Sequence, residues 1–279
     1  MSHLTFGLGW NRPLPAHYAR CRPGVHAAEL LADVVPAESS DNSDLVTIIN
    51  QGLLGSCTAN AWMQIIHGAM VAAGLDPSTE FGSRLMAYYL ARCEDGNQTV
   101  DSGTQICTVA DACCRIGFCK ESAWPYDPAW FASMPPPEAF REAFDQRGQI
   151  DINYHRLDGV VEGDDLLDLI RRALTARYLV TWGTLVSKAF CSGELGFDPI
   201  KPPTDQPIAG GHAQVICGHN GRPDGQPSFR DVNSWGPEFG DGGFCDVAPE
   251  YVSWSASSDM WICKVAPRFS SPRFSGGTP

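Results

Sequence analysis

No stretch of this 279-residue chain is apolar for long enough to cross a bilayer. Positive charge is scarce: 20 Lys and Arg stand against 32 Asp and Glu, for a net charge of -12. That balance argues against nucleic acid and anionic membrane surfaces as main partners. The opening, MSHLTFGLGWNRPLP, lacks the basic-then-apolar pattern of a secretory leader. The expectation from this is a cytoplasmic protein, with signal-independent export as the alternative. There is no CxxC pair, and no histidine at ligand spacing near the crowded stretch of Cys93, Cys107, Cys113, Cys114 and Cys119. No metal and no cofactor are therefore expected. Eleven cysteines leave at least one unpaired. Without a leader, buried free thiols are the expectation, ahead of a disulfide within that stretch.

What is present is enough apolar sequence, 43% with eight tryptophans, to fill the core of one large domain or two lobes. Residues 1–45 are rich in Pro, Ala and small polar residues and read as an arm or covering segment rather than a core. Helical spacing then sets in after Cys57, with Ala61, Trp62, Ile65, Ile66, Ala69, Met70 and Ala73 on one broad face. Further helices are expected near Ser83–Arg92 and Ile106–Ile116, the latter stopped by Gly117. A polar helix follows the triple proline, near Glu138–Gln146, and another begins near Gly163. Asp164, Asp165 and Asp168 lie in the first turns of that last helix. They are read as charges that complement its dipole, not as a catalytic carboxylate pair. From Tyr178 onward the pattern changes to short β-branched and aromatic runs separated by Gly, Pro and Asp: YLVTWGTLV, HAQVICGH, SFRDVNSW, GGFCDV and MWICKVA. Residues 267–279 are poor in apolar residues and are expected to form a mobile tail. The expected fold class is α+β, helical first and β-rich second.

Three separated segments hold what a thiol nucleophile needs. Gln51-Gly52-Leu53-Leu54-Gly55-Ser56-Cys57 immediately precedes a helix. A cysteine at a helix N-terminus feels the positive end of the dipole, which favours the thiolate. The same position leaves its backbone N–H free to meet the carbonyl under attack. Gly210-Gly211-His212-Ala213 enters a strand, and the paired glycines leave room for a substrate backbone beside the histidine. Asn233-Ser234-Trp235-Gly236 ends another strand. His67, His155 and His219 are read as core histidines.

These three segments, in this order, resemble the motifs of the papain and cathepsin family of cysteine peptidases. The matched features are Gln51 with Gly55-Ser56-Cys57, His212-Ala213 with Val215, and Asn233 to Gly236 followed by Phe239, Gly240, Gly243 and Phe244. The spacing is slightly longer than the signature of about 130–150 residues, which insertions would explain. The resemblance covers residues 46 to about 266 and implies a two-lobed fold. Its N-terminal lobe would be helical, its C-terminal lobe an antiparallel β structure, with the active-site cleft between them. Gly-Ser-Cys-Thr-Ala-Asn-Ala, with Gly9-Trp10 near the start, looks most like the bacterial and viral branch that includes xylellain. Thr58 departs from the family, which usually places an aromatic residue there. Leu54 and Val100 stand where relatives commonly carry bridging cysteines, so an apolar contact is expected to replace the bridge.

The resemblance implies hydrolysis of a peptide or protein substrate through a thioester on Cys57. His212 would be the general base, Asn233 would orient it, and Gln51 would help hold the oxyanion. Gly103 would hydrogen-bond the substrate backbone, while Gly211 and Ala213 would line the cleft, Ala213 as a wall of the second specificity subsite. Trp235 would shield the His212–Asn233 bond, and Trp124-Pro125-Tyr126 matches a structural segment. Two rival readings are a transglutaminase-type acyltransferase and an inactive scaffold that binds. The first class generally carries Asp where this chain has Asn233. The second fits poorly with all four catalytic residue types in place. Residues 1–45 are expected to pack over the cleft and regulate access.

Overall fold

The computed structural model describes residues 6–75, 81–193 and 196–268. In chain order the elements are α1 (Pro15–Arg20), α2 (Ala27–Leu30), β1 (Ser40–Asp41), α3 (Cys57–Ala72), α4 (Arg84–Glu94), α5 (Ile106–Ile116), α6 (Pro137–Gln149), β2 (Ile150–Arg156) and α7 (Gly163–Thr175). There follow β3 (Val180–Ser187), α8 (Lys188–Cys191), β4 (Ile208–His219), β5 (Phe229–Val232), β6 (Phe244–Val247), α9 (Pro249–Val252) and β7 (Ser258–Pro267). The strands form one antiparallel sheet in the order β2-β7-β3-β4-β5-β6, with β1 against the end of β4.

Strand side chains alternate between two cores because successive residues point to opposite faces. Ala213, Val215 and Cys217 of β4, with Trp261 and Cys263 of β7, join the core built on α3, α4 and α5. Ile216, Met260, Ile262, Val180 and Trp182 join the core on the other face, against α7. Leu166, Leu167, Ile170 and Leu174 make the apolar stripe of α7, each contributing roughly 1.5–3 kcal/mol by burial. Asp168 of that helix pairs with Arg172 at 2.6 Å, one turn on. The central helix α3 is buried along most of its length, from Cys57 through Ile66. A helix enclosed in this way is fixed in rotation, which fixes where its first residue points.

Several elements differ from the sequence expectation. The arm does enter the core: Trp10, Ala27 and Leu31 are buried, the last two against α7. Strand β2 interrupts the helical first half, because Ile150–Arg156 pairs along β7. Of the tail, Pro267 and Arg268 are tied down, the latter by Arg268 N–H to Gln149 O at 2.7 Å. Residues 269–279 lie outside the described residues. All eleven cysteines are free thiols. Among the described residues, no helix is long and apolar enough to cross a membrane.

Buried arginines build the loops that face the cleft. Arg92, fully buried, donates to Gln98 O and Val100 O, both at 2.8 Å, and lies over the Tyr88 ring. It thereby shapes the loop that carries Gly103. Arg84 donates to Asn60 Oδ1 at 2.9 Å and to Asn50 O at 3.4 Å, lies over Tyr126 and pairs with Glu121. Leu54 is buried but Val100 is half exposed, so no buried apolar pair replaces the missing bridge. Asp101 links the two loops instead. Its carboxylate accepts from Gly55 N–H at 3.1 Å and from the Tyr88 hydroxyl at 2.5 Å, charge-assisted bonds that do not require an oxidising compartment.

Candidate active site

Cys57 is the first residue of α3, following Ser56 at the N-cap. Its loop is held from beneath: Ser56 Oγ lies 2.5 Å from the Tyr126 hydroxyl, which donates to Gln51 O at 3.0 Å. Asn60 Nδ2 donates to Ser56 O at 3.0 Å. The backbone N–H groups of Ala213 and Gly9 lie close enough to the Cys57 sulfur to favour its ionised form. The first of these belongs to the neighbour of His212 on β4, so the thiol and the imidazole come from facing sides of one cleft.

His212 is fully buried, and its Nε2 lies 2.9 Å from Asn233 Oδ1. The same Oδ1 accepts from Ser234 N–H at 2.7 Å, which fixes it as the acceptor. Nε2 therefore carries the imidazole proton, and Nδ1 keeps its lone pair. Among the described residues Nδ1 has no hydrogen-bond partner. Trp235 stacks on the His212 ring at 4.3 Å, and Phe6 of the arm stacks on Trp235 at 4.4 Å. Gln51 is oriented by Ser234 Oγ, which donates to Gln51 Oε1 at 2.5 Å. Its Nε2 then donates to Leu54 O at 2.8 Å and to Gly7 O at 3.0 Å.

The arm thus lies along the cleft as an extended backbone. Gly7 N–H donates to Gly52 O, Thr104 N–H to Gly9 O, Asn11 N–H to Thr104 O and Trp10 N–H to Gly211 O, all between 2.8 and 3.1 Å. The fit depends on missing side chains. A Cβ at Gly9 would lie 1.8 Å from Gly55 O, one at Gly211 2.1 Å from Trp10 O, and one at Gly103 2.1 Å from Gly9 O. Gly103 also adopts φ +66, a conformation that favours glycine.

Toward the arm, the backbone contact is made by Thr104, while Gly103, whose own N–H goes to the Tyr88 hydroxyl at 3.0 Å, provides room. One expectation changes here. The thiol, expected to be acidic, is instead pushed up to about 11 by burial, against the lowering effect of the N–H groups of Ala213, Gly9, Thr58 and Cys57 itself. Burial likewise drives His212 down to about 4, opposed by its bond to Asn233. At neutral pH this form holds a neutral thiol and a neutral imidazole. Since only the thiolate is alkylated, reaction of Cys57 with iodoacetamide in the intact chain should stay slow at pH 7. It should accelerate as pH rises toward about 11. Peptide mass mapping across pH checks this, and rapid neutral labelling would contradict it.

Sequence reasoning assigned no role to Thr104, Asp101, Gly183 or Asp259, each of which bears on the cleft only through partners distant in sequence. Among the described residues there is no group of three His, Cys, Asp or Glu side chains that could hold a metal ion. Asp164 and Asp165 remain in the first turn of α7, and His155 Nδ1 lies 2.9 Å from Val25 O.

No family model matches the chain. An uncharacterised peptidase C1-like protein of Acanthamoeba polyphaga mimivirus is 33% identical over 219 residues, covering 77% of this chain and 68% of that protein. The chain belongs to the papain-like cysteine peptidases, the C1 family. Its fold is similar to that of xylellain, a cysteine protease from Xylella fastidiosa, with a TM-score of 0.75 at 24% identity over 95% of this chain and 98% of the other. It is also similar to two proforms. Procathepsin L2 of Tenebrio molitor larval midgut gives a TM-score of 0.67 at 19% identity, covering 93% of this chain and 78% of that one. Procathepsin B S9 of Trypanosoma congolense gives 0.65 at 13% identity, covering 94% and 87%.

Proposed function

We propose that the chain hydrolyses peptide bonds through a thioester on Cys57, and that residues 6–11 hold it in a covered, inactive form. The reaction begins when His212 Nδ1 takes the Cys57 proton, giving a thiolate and an imidazolium. The sulfur bonds to the substrate carbonyl carbon, and the oxygen takes up the electron pair. That oxyanion is met by Gln51 Nε2–H and the Cys57 backbone N–H. His212 returns its proton to the leaving amine, the C–N bond breaks, and water then cleaves the thioester with His212 again as base. Asn233 holds Nε2–H throughout, so the lone pair of Nδ1 stays aimed at the reaction. Trp235 covers that hydrogen bond.

The observation that carries this reading is the 2.9 Å pairing of His212 Nε2 with Asn233 Oδ1, which leaves Nδ1 unpaired among the described residues and free to take a proton, on the strand that packs beside the helix-terminal thiol. What supports the covered form is that the arm's backbone is bonded to both walls of the cleft, at Gly52, Thr104 and Gly211, and passes beside the Cys57 sulfur at Gly9. Bound in this way, the arm occupies the cleft without being a substrate. In a chain whose arm has been loosened, Gln51→Ala should lower kcat on the order of 10² with little change in KM, the pattern for a donor used in the transition state. Steady-state kinetics on a fluorogenic peptide measure this. An unchanged kcat would remove Gln51 from the oxyanion site.

A further inference from the structure

The side chain of Gln51 rests on a peptide plane whose far edge is held by a carboxylate. The Leu54–Gly55 peptide offers its carbonyl to Gln51 Nε2–H at 2.8 Å and its N–H to both oxygens of Asp101 at 3.1 Å. A peptide bond is planar, so its C=O and N–H point in opposite directions and turn together. Whatever fixes the Gly55 N–H therefore fixes the carbonyl under the glutamine amide. Ser56 N–H also donates to Leu54 O at 2.8 Å, but it belongs to the same turn and would move with it. Asp101 approaches from a separate loop and ties the plane to the rest of the lobe.

Gln51 depends on that plane for its aim. Its amide is gripped at Oε1 by Ser234 Oγ and at Nε2 by Leu54 O. The second Nε2 hydrogen goes to Gly7 O at 3.0 Å, and a withdrawn arm releases it toward a substrate carbonyl. With Leu54 O turned away, the amide would pivot about Oε1 and that hydrogen would lose its direction.

Asp101 is itself anchored on buried groups. Arg92 donates to Val100 O at 2.8 Å, immediately before it, and the Tyr88 hydroxyl donates to Asp101 Oδ1 at 2.5 Å. Both Arg92 and Tyr88 are fully buried. Burial, and then the bond to the carboxylate, push the Tyr88 hydroxyl pKa up, so it keeps the proton it donates. The approach at the other end relies on a missing side chain, since a Cβ at Gly55 would lie 3.0 Å from Asp101 Oδ1.

We propose that Asp101 is a positioning residue for the oxyanion donor, acting on Gln51 through the Leu54–Gly55 peptide plane. The proposal rests on the reading of Gln51 and Cys57 as parts of a peptidase site. Its test uses the full chain with Trp10→Ala, to loosen the arm, as the parent. To this are added Asp101→Ala, Asp101→Asn, Gln51→Ala and the pair Asp101→Ala with Gln51→Ala. On a fluorogenic peptide, Asp101→Ala should lower kcat about tenfold, part of the loss expected when the donor itself is removed, and leave KM within about twofold. Asp101→Asn keeps an acceptor for Gly55 N–H and should recover kcat to within about threefold of the parent. Once Gln51 is alanine, Asp101→Ala should cost less than about twofold more, because two residues acting through one donor are not additive. Alkylation of Cys57 by iodoacetamide forms no oxyanion and should keep its rate in the Asp101 variants.

A kcat unchanged by Asp101→Ala, or a tenfold loss that persists without Gln51, would overturn the proposal. So would an equal fall in Cys57 alkylation, which would mean that Asp101 only holds the nucleophile loop together. If the parent hydrolyses no peptide, the peptidase reading fails and the role of Asp101 falls with it. Turnover that is present but indifferent to Asp101 would sink the proposal alone.

Discussion

Turnover of a fluorogenic peptide by the intact chain is expected to rise about 10²–10³-fold when Trp10 is replaced by alanine. Trp10 is the arm's anchor: its indole is buried, its Nε1–H is bonded to Asp259 and its backbone N–H to Gly211. Truncating a buried tryptophan to alanine costs about 3–5 kcal/mol. Here that loss falls on the covered form. In the open form Trp10 has left its seat, so its removal changes little. The equilibrium between the two shifts by that amount, and rate follows the open fraction until most molecules are open. The same change should bring the Cys57 thiol down from about 11, since its burial depends in part on Gly9 lying over it. Iodoacetamide labelling would then begin at lower pH. A folded Trp10→Ala chain with unchanged turnover and an unchanged labelling profile would show that residues 6–11 do not control access.

Cys57→Ala, made in that opened chain, should reduce hydrolysis on the order of 10⁶-fold, the scale on which removal of a covalent nucleophile is felt. The substitution is sterically mild, because the site is already enclosed and alanine suits the start of a buried helix. Melting temperature should therefore change little while activity disappears. Cys217→Ala is the matched control. That thiol is buried in the core on the α3 side of the sheet and donates to Arg230 O at 3.5 Å, away from the cleft. Comparable activity in Cys57→Ala and its parent would exclude thioester chemistry at this position.

The parts of the site that the sequence made legible are those carried by short segments. Gln51 to Cys57 joins a turn to a helix N-terminus, and Asn233 to Gly236 is one strand end, so their geometry is largely local. The helices α3, α5 and α7 follow from apolar spacing that a single segment displays. What stayed hidden depends on pairing between distant residues. Strand β2 is recognised by its register with β7. The arm's backbone bond from Thr104 N–H to Gly9 O joins residues that no local pattern brings together. Asp259 shows no local sign of facing the cleft, since three of its four donors (Trp10, Ile106 and Cys107) come from far along the chain.

The direction of the thiol's shift was hidden for the same reason. A helix N-terminus favours the thiolate by a local effect, but full burial under Gly9 outweighs it. The helix dipole governs the uncovered site, and the arm sets the protonation of the covered one. The Gly9-Trp10 pair in the sequence pointed toward this, yet only the bare Cα atoms of Gly9, Gly103 and Gly211 explain how a backbone can lie so close to the sulfur.

Chemical activation of one sulfur is best tested by asking which cysteine an epoxysuccinyl inhibitor modifies in the full chain carrying Trp10→Ala at neutral pH. Mass mapping should find a single adduct on Cys57, absent after His212→Ala and retained after Cys217→Ala. An adduct on any of the other ten thiols with Cys57 unmodified, or labelling of Cys57 that persists unchanged without His212, would contradict the mechanism.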